Sequence, residues 1–89
     1  MYKILIVEDD DTITAVLTRT LLKWNYEVQA VVDFGRVGEQ FAQFSPDLVL
    51  LDISLPFFDG YYWCQEIRKT SQVPIIFISS AADDMNLVM

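Results

Sequence analysis

The stretch KILIVEDDDT, residues 3–12, sets an apolar-dominated strand pattern, Lys3 to Val7, directly against four consecutive acids, Glu8, Asp9, Asp10 and Asp11. A run that is apolar on both faces suits a strand buried in a parallel sheet, not one with a wetted face. Like charges piled at the tip of such a strand repel one another, so other parts of the fold must make them tolerable.

Three further short runs rich in Val, Ile and Leu occur at 27–32, 48–51 and 75–78, and we read all four as strands. The segments between them carry helical spacing. From Thr12 to Trp24, Ile13, Val16, Leu17, Leu21 and Trp24 repeat at intervals of three and four, with Asp10 or Asp11 available as N-cap. From Phe34 to Phe44, after Asp33, one face gathers Phe34, Val37, Phe41 and Phe44 before SPD at 45–47 stops the helix. A third helix, about Tyr61 to Lys69, follows Gly60 and presents Tyr61, Cys64 and Ile67, with Arg68 and Lys69 well placed at its C-terminal end. Pro74 falls at a strand start, where a missing N–H is tolerated. DDMNLVM, 83–89, is able to open a fourth helix. Strict alternation of strand and helix implies an α/β, doubly wound parallel sheet with right-handed crossovers and helices on both faces.

The bulk properties narrow the chemistry. Eighty-nine residues, 53% hydrophobic, make one compact domain. A net charge of −7 without any Lys/Arg cluster argues against binding of nucleic acid or an anionic membrane by this segment. Cys64 is the only cysteine and there is no histidine, which excludes an internal disulfide and a Cys/His zinc site and makes a reducing, cytoplasmic setting the simplest expectation. The apolar stretches are strand-sized, so neither a membrane span nor a signal peptide is expected.

In doubly wound sheets ligands bind beyond the carboxyl ends of the strands. On that rim the sequence places Glu8 and Asp9 after the first strand, Asp52 at the end of DLVLLD, and Ser79 and Ser80 after the fourth. Two unit charges 4 Å apart cost about 4 kcal/mol at an effective dielectric near 20, so converging carboxylates must bind a cation, take up a proton or splay apart. An all-oxygen ligand set with no His or Cys suits a hard divalent ion, and Mg²⁺ fits best. Acids at a helix start also stabilise the macrodipole, and that reading is preferred for Asp10 and Asp11. Glu8 and Asp9 precede the helix, where capping does not require them. Asp52 alone would pass as a turn former; the three together ask for a shared role. Competing phosphate chemistries fail here. VEDDDT lacks the glycines of a dinucleotide loop, a Walker loop is absent, and four acids would repel a flavin phosphate. Ile53 and Ser54 follow Asp52, which disfavours a hydrolase with a second Asp two residues on.

These segments resemble the receiver domain of bacterial response regulators. ILIVEDD is similar to that family's first strand and acidic pair. PDLVLLDISLPFFDG resembles its Asp-x-x-x-Pro-x-x-x-Gly phosphoacceptor segment, with Asp52, Pro56 and Gly60 in place, and VPIIFISSA resembles its fourth strand ending in Ser/Thr. LPFFDGYYWC is similar to regulators of antimicrobial-peptide-sensing (bacitracin-type) systems of the OmpR-type class, which carry a C-terminal winged-helix DNA-binding domain. The resemblance implies a flavodoxin-like (CheY-like) fold in a cytoplasmic protein. It implies that Asp52 takes a phosphoryl group from a phosphohistidine on a sensor histidine kinase. It implies that Asp9, Asp52 and the backbone carbonyl of Ser54 coordinate Mg²⁺, with Glu8 helping through water. Ser79 would then bind the phosphoryl group and bias a two-state switch; otherwise its hydroxyl merely satisfies a strand-end carbonyl. Ser80 would be structural or would modulate hydrolysis. Such a module is not an enzyme beyond its own phosphorylation and dephosphorylation. The alternative is a non-phosphorylated interaction module on the same fold.

The family's fifth strand, its lysine, switch aromatic and final helix have no counterpart before Met89, and Lys3 and Lys69 lie in the wrong segments to replace the lysine. The expectation is therefore a receiver domain over 1–89, incomplete at its C-terminus. In the family's strand order the fourth strand would become an open edge, so a homo-oligomer formed through that strand or by element exchange is expected. Trp24, Phe41 and Phe44 are expected in the core, and Phe57 and Phe58 against their own loop.

Overall fold

The computed structural model describes residues 1–78. Ser79, Ser80 and the fourth helix expected over 83–89 lie outside the described residues. The order of elements is β1 (Lys3–Val7), α1 (Asp11–Lys23), β2 (Glu27–Ala30), α2 (Val37–Phe44), β3 (Leu48–Asp52), α3 (Gly60–Arg68) and β4 (Ile75–Ile78). The strands form one parallel sheet in the order β2-β1-β3-β4, the alternating α/β architecture that the sequence predicts.

Each face of the sheet has its own helices. Leu5, Val7, Val49, Leu51, Ile75 and Phe77 point to one side, where Val37 and Phe44 of α2 and Trp63 and Ile67 of α3 close over them. Ile4, Ile6 and Leu50 point to the other and meet Leu17 and Leu21 of α1. β1 and β3, central in the sheet, are covered on both faces and thus read as continuous apolar runs.

Several expectations change in detail. α1 starts at Asp11 with Asp10 as its N-cap; the Asp10 carboxylate accepts from the N–H groups of Thr12 (2.9 Å) and Ile13 (3.2 Å). Trp24 lies at the C-cap, 70% exposed, so its place in the apolar repeat does not bury it. α2 begins at Val37, not Phe34, because 33–36 form a turn in which the Arg36 N–H donates to Asp33 O; Phe34 still packs on the core from that turn. Ser45 ends α2 in a left-handed conformation at φ 50°. β2 stops at Ala30. Val31 still donates its N–H to Ile6, whereas Val32 turns out to solvent and gives its N–H to the Gln40 side chain. On α3 the buried stripe is Gly60, Trp63 and Ile67; Tyr61 is half exposed and Cys64 partly buried. No helix among the described residues is long and apolar enough to cross a membrane.

Candidate functional site

The parallel register determines which groups meet. Ile6 and Val7 of β1 pair with Leu50 and Leu51 of β3, so the next residue of each strand, Glu8 and Asp52, emerges at the same level of the same rim. Asp9 follows. One carboxylate oxygen from each of Glu8, Asp9 and Asp52 lies within 4.8 Å of the others. The three acids do not splay into separate solvent regions; they face one hollow.

Burial makes this costly. Asp52 is fully buried and Glu8 is 5% exposed, while Asp9 is exposed. Asp52 Oδ1 accepts the Ser54 N–H at 3.3 Å, but Oδ2 is buried and meets no donor among the described residues. Glu8 Oε2 accepts the Asp10 N–H at 3.0 Å, and Thr14 Oγ1 donates to the Glu8 carbonyl at 3.1 Å, pinning the strand end to the start of α1. Burial pushes the Glu8 carboxyl up to about 7, aided by Asp52 and Asp9 and opposed by the Asp10 N–H. Burial likewise raises Asp52, with the Asp9 charge adding and the hydrogen bond to Glu8 and the donors at Ser54 and Ile53 opposing. When both are ionised, Asp52 Oδ2 is left without a donor among the described residues; a proton on Glu8 shared with Asp52 adds to the burial that keeps Glu8 protonated.

The loop from 53 to 59 is shaped around Asp52. The Gly60 N–H donates to Ile53 O at 2.8 Å, and a Cβ at position 60 would collide with the Asp52 carbonyl oxygen and come within 3.0 Å of Ile53 Cα. Gly60 is needed for this close approach, not for an unusual φ. Pro56 O accepts from the Phe58 N–H at 2.9 Å across Phe57, which is held at φ 70°. Phe58 stacks on Tyr62 at 4.3 Å and meets Trp63 edge-on, so it packs as expected; Phe57 does not. Asp59 caps α3, accepting the Tyr62 N–H at 2.9 Å.

The structure thus unites Glu8, Asp9 and Asp52, and the Ser54 N–H joins them. Sequence reasoning missed Thr14 and Asp59 as positioning groups. Asp59 just ahead of the helix beginning at Gly60 was the available signal for its cap, whereas the Thr14 bond to the Glu8 carbonyl depends on the loop path.

The donor set fits a hard divalent cation. Three carboxylate oxygens, one with an open lone pair, converge in a small hollow without nitrogen or sulfur ligands.

The comparisons agree with this geometry. The chain is 53% identical over all 89 residues to an uncharacterized transcriptional regulatory protein, YvcP, of Bacillus subtilis, and spans 38% of that protein's length. Among solved structures, the N-terminal domain of the nisin resistance regulator NsrR, a lantibiotic response regulator, superposes with a TM-score of 0.86 at 47% identity, covering 98% of this chain and 74% of the other. The response regulator TrrA of Thermotoga maritima, in complex with Mg²⁺-BeF, gives 0.83 at 30% identity over 92% of this chain and 72% of its own. In complex with the histidine kinase ThkA the match is 0.82 at 28%, over 98% and 77%. The response regulator receiver domain profile matches residues 4–89, and the chain belongs to that family.

Proposed function

We propose that this chain is the phosphoacceptor module of a two-component signalling system, that Asp52 is the acceptor and that Mg²⁺ is its cofactor. The observation that carries this reading is the hollow itself: the carboxylates of Glu8, Asp9 and Asp52 converge there, and Asp52 Oδ2 meets no hydrogen-bond partner among the described residues. Asp52 Oδ2 is free to attack phosphorus. The phosphohistidine P–N bond breaks as the Asp52 O–P bond forms, the electron pair stays on the imidazole nitrogen, and an acyl phosphate results. As the chain has no histidine, that donor comes from outside, and the ThkA–TrrA pair supports a sensor histidine kinase in the role. Asp9, Asp52 and the carbonyl of Ser54 would hold the ion, with Glu8 acting through water. When bound, magnesium supplies positive charge that offsets the carboxylates and the phosphoryl oxygens. Gly60 and Pro56 hold the loop so that the Ser54 N–H stays on Asp52 Oδ1, leaving Oδ2 open. Ser79, with Ser80 beside it, would receive the phosphoryl oxygens as a hydroxyl donor and bias the switch. The likeness to YvcP supports a transcriptional regulator as the whole protein, working in the cytoplasm, with DNA contact made outside this acidic segment.

The test is mass spectrometry after incubation with a small acyl phosphate. The wild type gains one phosphoryl group with Mg²⁺ and none with excess chelator, and Asp52→Asn gains none. A wild type that never gains one is instead an interaction module on this fold.

A second copy is also part of the proposal. At the β2 edge, Gln40 reaches over from α2, taking the Val32 N–H on Oε1 (3.2 Å) and donating to Ala30 O (3.0 Å), which occupies groups a foreign strand would need. The outer edge of β4 has no such cover among the described residues. The 89-residue chain in isolation should therefore pair through β4 or exchange elements. Light scattering showing only monomer at tens of micromolar would remove this part.

A further inference from the structure

We infer that Phe57 is a specificity contact for the protein that delivers the phosphoryl group, gripped by an apolar socket ringed with basic residues on the donor. The inference rests on the phosphoacceptor reading above and adds the chemistry of the docking surface.

Two properties of Phe57 are each unfavourable for the isolated domain. Its φ of 70° is one that an aromatic L-residue adopts only under constraint, and glycine would hold the same turn without strain. Its ring is 81% exposed, so burial returns almost nothing for that strain. The neighbouring Phe58 shows what a loop-packing aromatic looks like here, stacked on Tyr62 and edge-on to Trp63. The Phe57 ring only skirts the β2–α2 turn, where even a β-carbon on Gly35 would lie 4.0 Å from Phe57 Cδ2. Folding therefore gives no account of a phenylalanine at this position.

Position and charge identify the occupant. Phe57 lies five residues after Asp52, in the loop folded back onto it through Gly60. Because Asp52 is fully buried, a macromolecule must lay its surface across the rim to bring a phosphoryl group to it. The same rim of the sheet carries exposed acids: Asp9, Asp10 and Asp11 at the β1–α1 junction, Asp33 in the β2–α2 turn, and Asp59 in the same loop as Phe57. An apolar knob within an acidic belt is complementary to an apolar socket within a basic one, and a buried aromatic at the centre of an interface is where binding energy concentrates. A small phosphodonor spans too little surface to reach it.

The experiment compares two donors on the full 89-residue chain with Mg²⁺. One is a small acyl phosphate. The other is the autophosphorylated cytoplasmic part of whichever host sensor kinase labels the wild type fastest. Phe57→Ala and Phe57→Gly should leave the small-donor rate within about twofold and raise the kinase KM about tenfold or more, with kcat little changed. Phe57→Leu and Phe57→Tyr should restore most of the loss, and Phe57→Gly should not lower the melting temperature. An unchanged kinase KM in Phe57→Ala overturns the inference, as does a fall in melting temperature large enough to slow both donors equally. If no host kinase labels a wild type that the small donor does label, the inference fails and Asp52 as acceptor stands. If neither donor labels the wild type, the phosphoacceptor reading fails with it.

Discussion

Gly60 lies so close to the backbone of Asp52 that a β-carbon on it would strike the Asp52 carbonyl oxygen and come within 3.0 Å of the carbonyl carbon. The neighbouring atoms are main chain of β3 and its exit, which has little room to yield. Gly60→Ala should therefore destabilise the domain by about 1–3 kcal/mol through overpacking and also displace Asp52. Denaturant unfolding checks the first effect and the rate of labelling by a small acyl phosphate checks the second. A neutral substitution would mean that the loop is free to move away.

The acidic hollow makes stability depend on pH in an unusual direction. Glu8 holds its proton to about 7, above its ordinary 4.5, and Asp52 is raised as well. A carboxyl raised by folding contributes stability that is fully present below its unfolded pKa and is lost as pH climbs through the folded one. Without divalent metal, the melting temperature should thus fall between about pH 4.5 and 7, by on the order of 2 kcal/mol in stability. Glu8→Gln should flatten this slope, and Asp52→Asn should stabilise the metal-free protein above pH 7. Millimolar Mg²⁺ should restore the wild type at pH 8. A metal-free protein that grows more stable across this window contradicts the account.

Asp10 and Asp11 are adjacent acids with different work. Asp10 accepts two N–H groups of the first turn of α1, and Asp11 is the first helical residue with only the helix dipole to favour it. Asp10→Ala should cost about 1 kcal/mol and Asp11→Ala only a few tenths. Equal costs in thermal or chemical unfolding would contradict the assignment of the cap.

What was legible in the chain follows from how its signals arise. β1 and β3 are covered on both faces and β4 buries Ile75 and Phe77 on one, so their apolar runs are continuous and their boundaries are read within a residue. β2 is an edge strand, and Val32, apolar but 84% exposed, extended its pattern past the true end. Periodicity reports a face and not a helix, which is why Phe34 was counted into α2 although it packs from a turn. The three acids were legible because strand ends in one parallel sheet share a rim. The strain at Phe57, the back-donation by Thr14 and the edge cover by Gln40 depend on dihedrals and loop paths that residue types do not encode.

The tryptophans divide the same way. Trp24 continues the apolar repeat of α1 beyond its last turn and is exposed, whereas Trp63 is buried beneath Phe58 and Tyr62 with its indole N–H unpaired among the described residues. Trp24→Ala should change stability by under about 0.5 kcal/mol and Trp63→Ala by about 3–5. Fluorescence of the single-tryptophan variants should be solvent-like for Trp24 and blue-shifted for Trp63. The reverse order would show the α2–α3 side of the core to be wrong.

The most direct test of the phosphoacceptor site is to trap the acyl phosphate and find its residue. Wild-type protein labelled with a small acyl phosphate and Mg²⁺ is reduced with borohydride, which turns a phosphorylated aspartate into homoserine, and its peptides are then sequenced by mass spectrometry. Homoserine at position 52, at none of Asp9, Asp10 or Asp11, and no 2-amino-5-hydroxypentanoic acid from a reduced glutamate at position 8, is the predicted result. A mark on any other acid, or labelling that survives in Asp52→Asn, would contradict it.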